Sequence, residues 1–429
     1  MKKTGLLFVA LLALVFTSSA FSGGAKESAA AKKVKIVHWA FQFVDEASDQ
    51  KMYQSFLPDL QKTAPNVEVE VEFFPWDGRR DRMLTAIAGK TAPDVVYLND
   101  DMKPLFYPNL LDLTPYLSAD ELKDFKPGSI QSAKYKNELC YLPVLINSVA
   151  HFVNLDLLAK LGYPADWTEK QHTWDEFLEL CDKARKAGLT AYTMGPANAS
   201  IVDELSNWIY QAGAAYYNAD TTKCTLNSPE AVRAFTFLAK LWEEKYVNPA
   251  DMDKTSAEVS EGVFAQGKCV AIMAQNQAIT NWKKVNPSLR VGLAYALKDK
   301  ADASNGTVAG FGSFKQSKNP EAAVAWIKVL TGPNAMSVID QQLSFIPPRF
   351  SVDAAMKAKM NDPIFNRAVE NSQWFQPTVP ASPVGAAANE EIKVAFQKII
   401  LKKQPVDQAL EELTTKVNKL LDDYYKKAK

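Results

Sequence analysis

Alternating apolar and polar residues open the ordered part of the chain. Residues 34–39 alternate, and residues 67–73 alternate strictly, which is typical of strands that bury one face. Residues 94–98 form a short apolar run, as expected for a strand that is buried on both faces. Helical periodicity over 49–63 and 79–88 separates these three strands. Strand and helix therefore alternate as in an open α/β sheet.

Past residue 150 the pattern is mostly helical. Roughly 400 residues follow the N-terminal segment, more than one hydrophobic core usually holds, so we expect two α/β lobes. Ligands of such sheets bind beyond the carboxyl ends of the strands, where loops of the two lobes face each other. The predicted helices cover 174–187, 205–212, 229–245, 258–266, 320–330 and 407–425, with strands at 270–273 and 291–296. Ser228 and Pro229 are expected to cap and start the helix at 229.

The first residues indicate an exported protein. Two lysines are followed by an apolar run over 6–16, too short for a membrane span, and by small residues over 17–20. We predict a signal peptide over 1–25 and a short tether over 26–33, with the exact cleavage site left open. No cysteine lies near this junction, so no lipid anchor is expected there. A secreted, periplasmic location follows.

Composition limits the partners. The chain has 49 basic and 49 acidic residues, so it offers no net field for nucleic acid or an anionic membrane. With three histidines and no HExxH, GxSxG, P-loop or GxGxxG motif, neither an enzyme, a metal site nor a cofactor is predicted. The four cysteines form no CxxC pair, and disulfides and buried thiols both stay open.

Several short blocks, in this order along the chain, carry a resemblance. The chain resembles the family 1 extracellular solute-binding proteins of bacterial ABC importers, the group that contains the maltose-binding and other sugar-binding proteins. The blocks are Gly89-Lys90-Thr91-Ala92-Pro93-Asp94-Val95-Val96, Leu142-Pro143, Phe152-Val153-Asn154-Leu155-Asp156-Leu157-Leu158, Thr173-Trp174-Asp175-Glu176-Phe177, Phe264-Ala265-Gln266-Gly267-Lys268, Gly310-Phe311-Gly312, Ile346-Pro347-Pro348-Arg349 and Gln404-Pro405-Val406-Asp407-Gln408-Ala409-Leu410.

The resemblance implies a two-lobed periplasmic-binding-protein fold of type II, with an open sheet in each lobe. It implies an N-terminal lobe of 34–145 plus 313–346 and a C-terminal lobe of 146–312 plus 347–429. The hinge crossings are expected near 144–150, 308–313 and 346–351. A monomer that closes on its ligand and delivers it to the permease subunits of an ABC transporter is the expected mode of action.

The resemblance also implies where ligand-binding residues lie. The candidates at the matching positions are Trp39 after the first strand, then Asn99, Asp100 and Asp101 after the third, then Asn147 after the Leu-Pro block, then Gln275, Asn276 and Gln277 after the Gly-Lys block, and Gly310 with Phe311 in the glycine-rich turn. Two further tryptophans are candidates from their own surroundings. Trp208 suits either a core or a site, and Trp374 lies in an irregular polar segment.

The ligand expected from these residues is a carbohydrate. Aromatic rings cover the apolar face of a sugar, and amides and carboxylates bind its hydroxyls. Gln277 and Asn389 stand where maltodextrin binders carry aromatics, which favours a mono- to short oligosaccharide over a long glucan. A polyol phosphate bound through Arg79, Arg80, Arg82 or Arg349 is an alternative, as is a secreted glycosidase with a carboxylate pair.

Overall fold

The chain folds as a mixed α/β protein. The computed structural model describes residues 32–427 apart from residues 44, 344, 378 and 379. The predicted signal peptide, 1–25, and most of the predicted tether lie outside the described residues. The strands are β1 (Val34–Phe41), β2 (Val67–Phe74), β3 (Val95–Asn99), β4 (Lys134–Tyr135), β5 (Glu138–Leu139), β6 (Leu142–Asn154), β7 (Thr190–Thr193), β8 (Cys269–Gln275), β9 (Val291–Leu293), β10 (Ser304–Gly312) and β11 (Phe375–Pro377).

Helices flank the strands on both sides. They are α1 (Glu46–Thr63), α2 (Arg79–Ala88), α3 (Lys103–Phe106), α4 (Ala119–Lys123), α5 (Pro127–Ala133), α6 (Leu155–Lys160), α7 (Trp174–Lys186), α8 (Ile201–Gln211), α9 (Pro229–Glu243), α10 (Ser256–Val259), α11 (Ala278–Val285), α12 (Pro320–Leu330), α13 (Pro333–Leu343), α14 (Phe350–Met360), α15 (Pro363–Asn371), α16 (Gly385–Lys402) and α17 (Val406–Lys427). A π-helical turn, Ser260–Phe264, follows α10.

One sheet runs through the molecule in the order β2-β1-β3-β10-β6-β8-β7, with β11 beside β10 and β9 beside β6. Strand β1 is parallel to β2 and β3, whereas β10 is antiparallel to β3 and β6. The α/β class expected from the sequence is confirmed. The predicted helix start at Pro229 is confirmed as well, because the Ser228 hydroxyl accepts a hydrogen bond from Ala231 N.

Two hydrophobic cores lie along this sheet, and β6 and β10 connect them. Leu145 and Phe152 of β6 pack in the first core, while Val149 and Val153 of the same strand pack in the second. Helices α14 and α15 pack in the first core. The predicted lobe limits stay a prediction, but the two connecting strands run through the segments where hinge crossings are expected.

Gly310 lets these two strands approach each other. The register of β10 against β6 shifts between Ala309 and Gly310. A Cβ at position 310 would lie 2.0 Å from the Leu142 carbonyl oxygen, so no other residue fits without moving the backbone.

All four cysteines, Cys140, Cys181, Cys224 and Cys269, are buried free thiols. Burial raises the pKa of each of them, that of Cys140 to about 11. In the described part of the chain no single helix is long and apolar enough to cross a membrane, although α12 and α13 reach that length together across a 55° bend.

Candidate ligand-binding cleft

A cleft of about 680 Å³ lies between the two cores. Phe43, just after β1, and Gln342, at the end of α13, line it from the side of the first core. The second core contributes the first turn of α8, and the segment after β8 contributes Gln275 and Gln277. The volume is in the range of small-molecule sites, about 300–1,000 Å³.

Three amides and a carboxylate form a hydrogen-bonded ladder at this cleft. The Gln275 Oε1 atom accepts from Asn147 Nδ2 at 3.1 Å and from Gln277 Nε2 at 3.0 Å. Gln275 Nε2 in turn donates to Asp203 Oδ2 at 3.2 Å. Because each amide is oriented by its neighbour, the ladder presents fixed donors and acceptors. Three sequence-predicted residues, Asn147, Gln275 and Gln277, are therefore brought together, and two of them, Gln275 and Gln277, line the cleft.

The first turn of α8 adds two acids that are not among the candidates predicted from the sequence. Asp203 and Glu204 stand at the positive N-terminal end of the helix, where carboxylates are favoured. Burial raises the pKa of Glu204 to about 8, although a hydrogen bond from the Tyr192 hydroxyl acts in the opposite direction. The helix predicted over 205–212 begins at Ile201 instead, and this earlier start places both acids in its first turn.

An aromatic cluster adjoins the cleft at the carboxyl ends of β1 and β2. The Phe43 ring lies 6.1 Å from Trp76 and 5.5 Å from Tyr97, and Trp76 lies 5.4 Å from Tyr97. Trp76 is 37% exposed, and the Arg79 guanidinium stacks on it at 4.9 Å. Aromatic residues just past the ends of neighbouring parallel strands are the sequence signal for this cluster. The signal can be used only if the ends of the strands are predicted to within two residues.

Trp39 and Asn99, candidates at the first and third strands, are not among the residues that line the cleft. Trp39 is inside β1, where it packs on Phe74 at 4.8 Å and against the first core. Asn99 is the last residue of β3 and pairs with Ala309. Asp101 lies in a 3₁₀ turn with Asp100.

Asp100 itself is an interior residue. Its carboxylate accepts hydrogen bonds from the Lys103 ammonium, the Ser132 and Tyr141 hydroxyls and the Val308 amide. None of these partners lines the cleft. The network therefore joins the end of β3 to β10 inside the protein.

The other candidates are also separate from the cleft lining. Trp208 is fully buried among aromatic rings of the second core, and Phe311 is fully buried beside His38 and Tyr97. Trp374 is half-buried beside Tyr295. Asn276 lines a smaller cavity of about 320 Å³ between α11 and α15.

Two of the four arginines of the polyol phosphate alternative, Arg349 and Arg82, are engaged in other contacts. Arg349 donates to the Thr331 carbonyl and to Asp124 and stacks on the Phe125 ring at 3.9 Å. Arg82 stacks on Phe74 at 4.6 Å. Neither lines the cleft.

Comparison with known proteins assigns the class. The family of bacterial extracellular solute-binding proteins matches residues 56–366, and the chain belongs to this family. The resemblance seen in the sequence blocks is thereby confirmed.

Sequence relatives are distant. A probable ABC transporter-binding protein of Deinococcus radiodurans is 25% identical over 272 residues, which is 60% of this chain. The chain spans 63% of the length of that relative. An uncharacterized lipoprotein of Streptomyces antibioticus is 30% identical over 133 residues, 29% of this chain and 28% of its own.

Solved structures show the same fold. A solute-binding protein from Thermotoga lettingae with bound α-D-tagatose has a TM-score of 0.73 at 20% identity, covering 90% of this chain and 99% of its own. The sugar-binding protein MalE of Xanthomonas citri has a TM-score of 0.78 at 18% identity, covering 91% and 98%. A cyclic α-maltosyl-1,6-maltose binding protein of Arthrobacter globiformis has a TM-score of 0.79 at 16% identity, covering 91% and 100%. The two-lobed fold implied by the resemblance is confirmed.

Proposed function

We propose that the protein captures a mono- to short oligosaccharide in this cleft and delivers it to the permease of an ABC importer. The observation that carries the proposal is the amide ladder of Asn147, Gln275 and Gln277 ending on Asp203. Sugar hydroxyls both donate and accept hydrogen bonds. A row of oriented amides beside a carboxylate offers donors and acceptors for them.

The aromatic cluster supports the same ligand class. Phe43 lines the cleft, and its ring contacts the rings of Trp76 and Tyr97. A ring in this position can cover the apolar face of a pyranose. Its edge-to-face contact with Tyr97, at an interplanar angle of 80°, restricts the motion of the Phe43 ring.

Delivery requires that the loaded and empty forms differ in shape. The cleft is lined from both cores, so a ligand that contacts both sides stabilises the closed arrangement through the contacts that closure adds. Strands β6 and β10 join the two cores and are the segments that must bend during closure. The proposed role is binding, without hydrolysis of the sugar.

The test is a thermal-shift screen of the mature protein against maltose, D-tagatose, other mono- to trisaccharides, and glycerol phosphate. A ligand of the folded form raises the melting temperature with its concentration. We expect a saccharide to do so and glycerol phosphate to have no effect. Stabilisation by glycerol phosphate alone, or hydrolysis of a bound saccharide, would contradict the proposal.

Gln275→Ala should weaken saccharide binding by about 0.5–1.5 kcal/mol for each hydrogen bond lost to the ligand. The loss should exceed one such bond, because Gln275 also orients Asn147 and Gln277. Calorimetric titration measures it. Gln408→Ala, on the exposed surface of α17, is the matched control and should bind as the natural protein does. Equal affinities for the two variants would exclude the ladder from the site.

A further inference from the structure

Glu204 differs from the other acids of the cleft in its surroundings. It lines the cleft, yet only 4% of the residue is exposed, because α8 turns its side chain towards β7. The Oε1 atom is hydrogen-bonded to the Tyr192 hydroxyl. Within the described residues the second oxygen, Oε2, has no hydrogen-bond partner.

The second oxygen, Oε2, is accessible from the cleft, since it is not among the buried atoms of the described residues that have no hydrogen-bond partner. A ligand that displaces water there must supply a partner, because a polar atom left unpaired out of water costs more than one ordinary hydrogen bond contributes. The ladder does not provide the partner, since the amide of Gln275 is used by Asp203, Asn147 and Gln277. The partner must therefore come from whatever occupies the cleft.

We propose that Glu204 is a ligand-contacting residue that determines specificity, with Oε1 held by Tyr192 and Oε2 facing the bound solute. The inference rests on the proposed function and assigns to it a neutral, hydroxyl-bearing saccharide. In the arrangement that satisfies every atom, the Tyr192 hydroxyl donates to Oε1, and the proton on Oε2 is donated to a ligand oxygen.

The charges around Glu204 favour this protonated form. Asp203 of the same helix and Glu261 of the π-helical turn line the cleft, as does the exposed ammonium of Lys284 on α11. Tyr192, on β7, keeps its proton because burial raises its pKa far above the usual value. A negative charge on Glu204 would add to the two acids. An anionic solute would meet the same carboxylates, so the cleft selects against it.

Ionisation of Glu204 removes the donated hydrogen bond. Since its pKa is about 8, about nine-tenths of the protein carries ionised Glu204 at pH 9. If only the protonated form binds, the apparent affinity should fall about tenfold between pH 7 and pH 9.

The experiment measures affinity against pH by calorimetric titration, with maltose, D-tagatose, maltotriose and N-acetylglucosamine as probes. The natural protein should lose about tenfold in affinity over this interval. Glu204→Gln keeps a donor at this position but cannot ionise, so its affinity should be independent of pH. Glu204→Ala should bind more weakly than the natural protein at pH 7, with no pH dependence. Glu243→Gln, on α9 away from the cleft, should keep the natural profile.

Each outcome decides one point. A flat profile for the natural protein, or an unchanged affinity for Glu204→Ala, would show a structural carboxyl and overturn the inference, while binding itself would uphold the proposed function. If no probe binds to the natural protein, both are overturned. Circular dichroism checks that the variants fold, and Glu204→Gln alone decides the question if Glu204→Ala does not.

Discussion

Asp100→Ala should lower the free energy of unfolding by about 3–5 kcal/mol, as expected when one member of a buried ion pair is removed. Asp100 lies 2.8 Å from the Lys103 ammonium, and the two side chains are 10% and 4% exposed. The carboxylate also accepts from Ser132, Tyr141 and the Val308 amide, at 2.9, 2.9 and 3.2 Å. The substitution leaves the ammonium and three donors without that partner in the interior.

Denaturant unfolding measures this loss. The double variant Asp100→Ala with Lys103→Met should regain part of the stability, because it removes the uncompensated charge as well. Asp120→Ala breaks an exposed ion pair with Lys123 and serves as the control, with an expected change within about 0.5 kcal/mol. A similar small change for Asp100→Ala would instead place Asp100 outside the buried network.

The two buried histidines, His38 and His151, should each lower the free energy of unfolding as the pH falls from 6.5 towards 3, whereas Glu204 acts in the opposite direction because its pKa is raised. Burial lowers the pKa of both His38 and His151 to about 3, so both stay neutral in the folded state over this range. The unfolded chain binds these two protons near pH 6.5, so the stability that the two neutral histidines contribute is full above that pH and is progressively lost below it. Each histidine should contribute a slope of about 1.4 kcal/mol per pH unit.

His151→Phe isolates one of these two slopes. The His151 ring lies edge-on to Phe177 and Trp167, at 5.1 and 6.4 Å, and neither of its nitrogens has a partner among the described residues. Denaturant unfolding at several pH values should show a slope reduced by about 1.4 kcal/mol per unit in the variant. His38 accepts a hydrogen bond from Trp326 at 3.2 Å and should keep its own contribution in the variant. An unchanged slope would mean that His151 becomes protonated without unfolding.

The sequence predicted the fold better than the site, for a physical reason. Strand and helix periodicity depends on many residues at once, so the alternation over 67–73 and the buried run near Val95 identified β2 and β3 despite small errors in their ends. Family blocks depend in the same way on order over the whole chain. Both kinds of signal tolerate a shift of one or two residues.

The prediction of site residues fails when an element end is misplaced by one or two residues. The aromatic that lines the cleft is Phe43, four residues beyond Trp39, because β1 continues to Phe41. Asp100 follows its strand as expected, but its side chain is held inside by Lys103 and Tyr141. Which way a loop carboxylate points depends on distant partners in the chain, and periodicity carries no information about them.

The residues of α8 show a second reason why site residues are hard to predict from the sequence. Glu204 is one position away from Asp203, and the 100° turn between successive helical residues gives them different neighbours. Tyr192, which holds Glu204, lies on β7 and precedes it by 12 positions. Only the packed structure shows that an acid in a helix is turned towards a strand and a cleft at once.

The buried thiols make the protein convenient for optical detection. Maleimide dyes react with exposed thiolates, and the four natural cysteines are buried with raised pKa values. A single cysteine introduced at Asn281, on the exposed rim of the cleft, is therefore the thiol that such a dye reaches first. A fluorophore attached there would turn closure of the cleft into a change of emission, with the natural cysteines left in place.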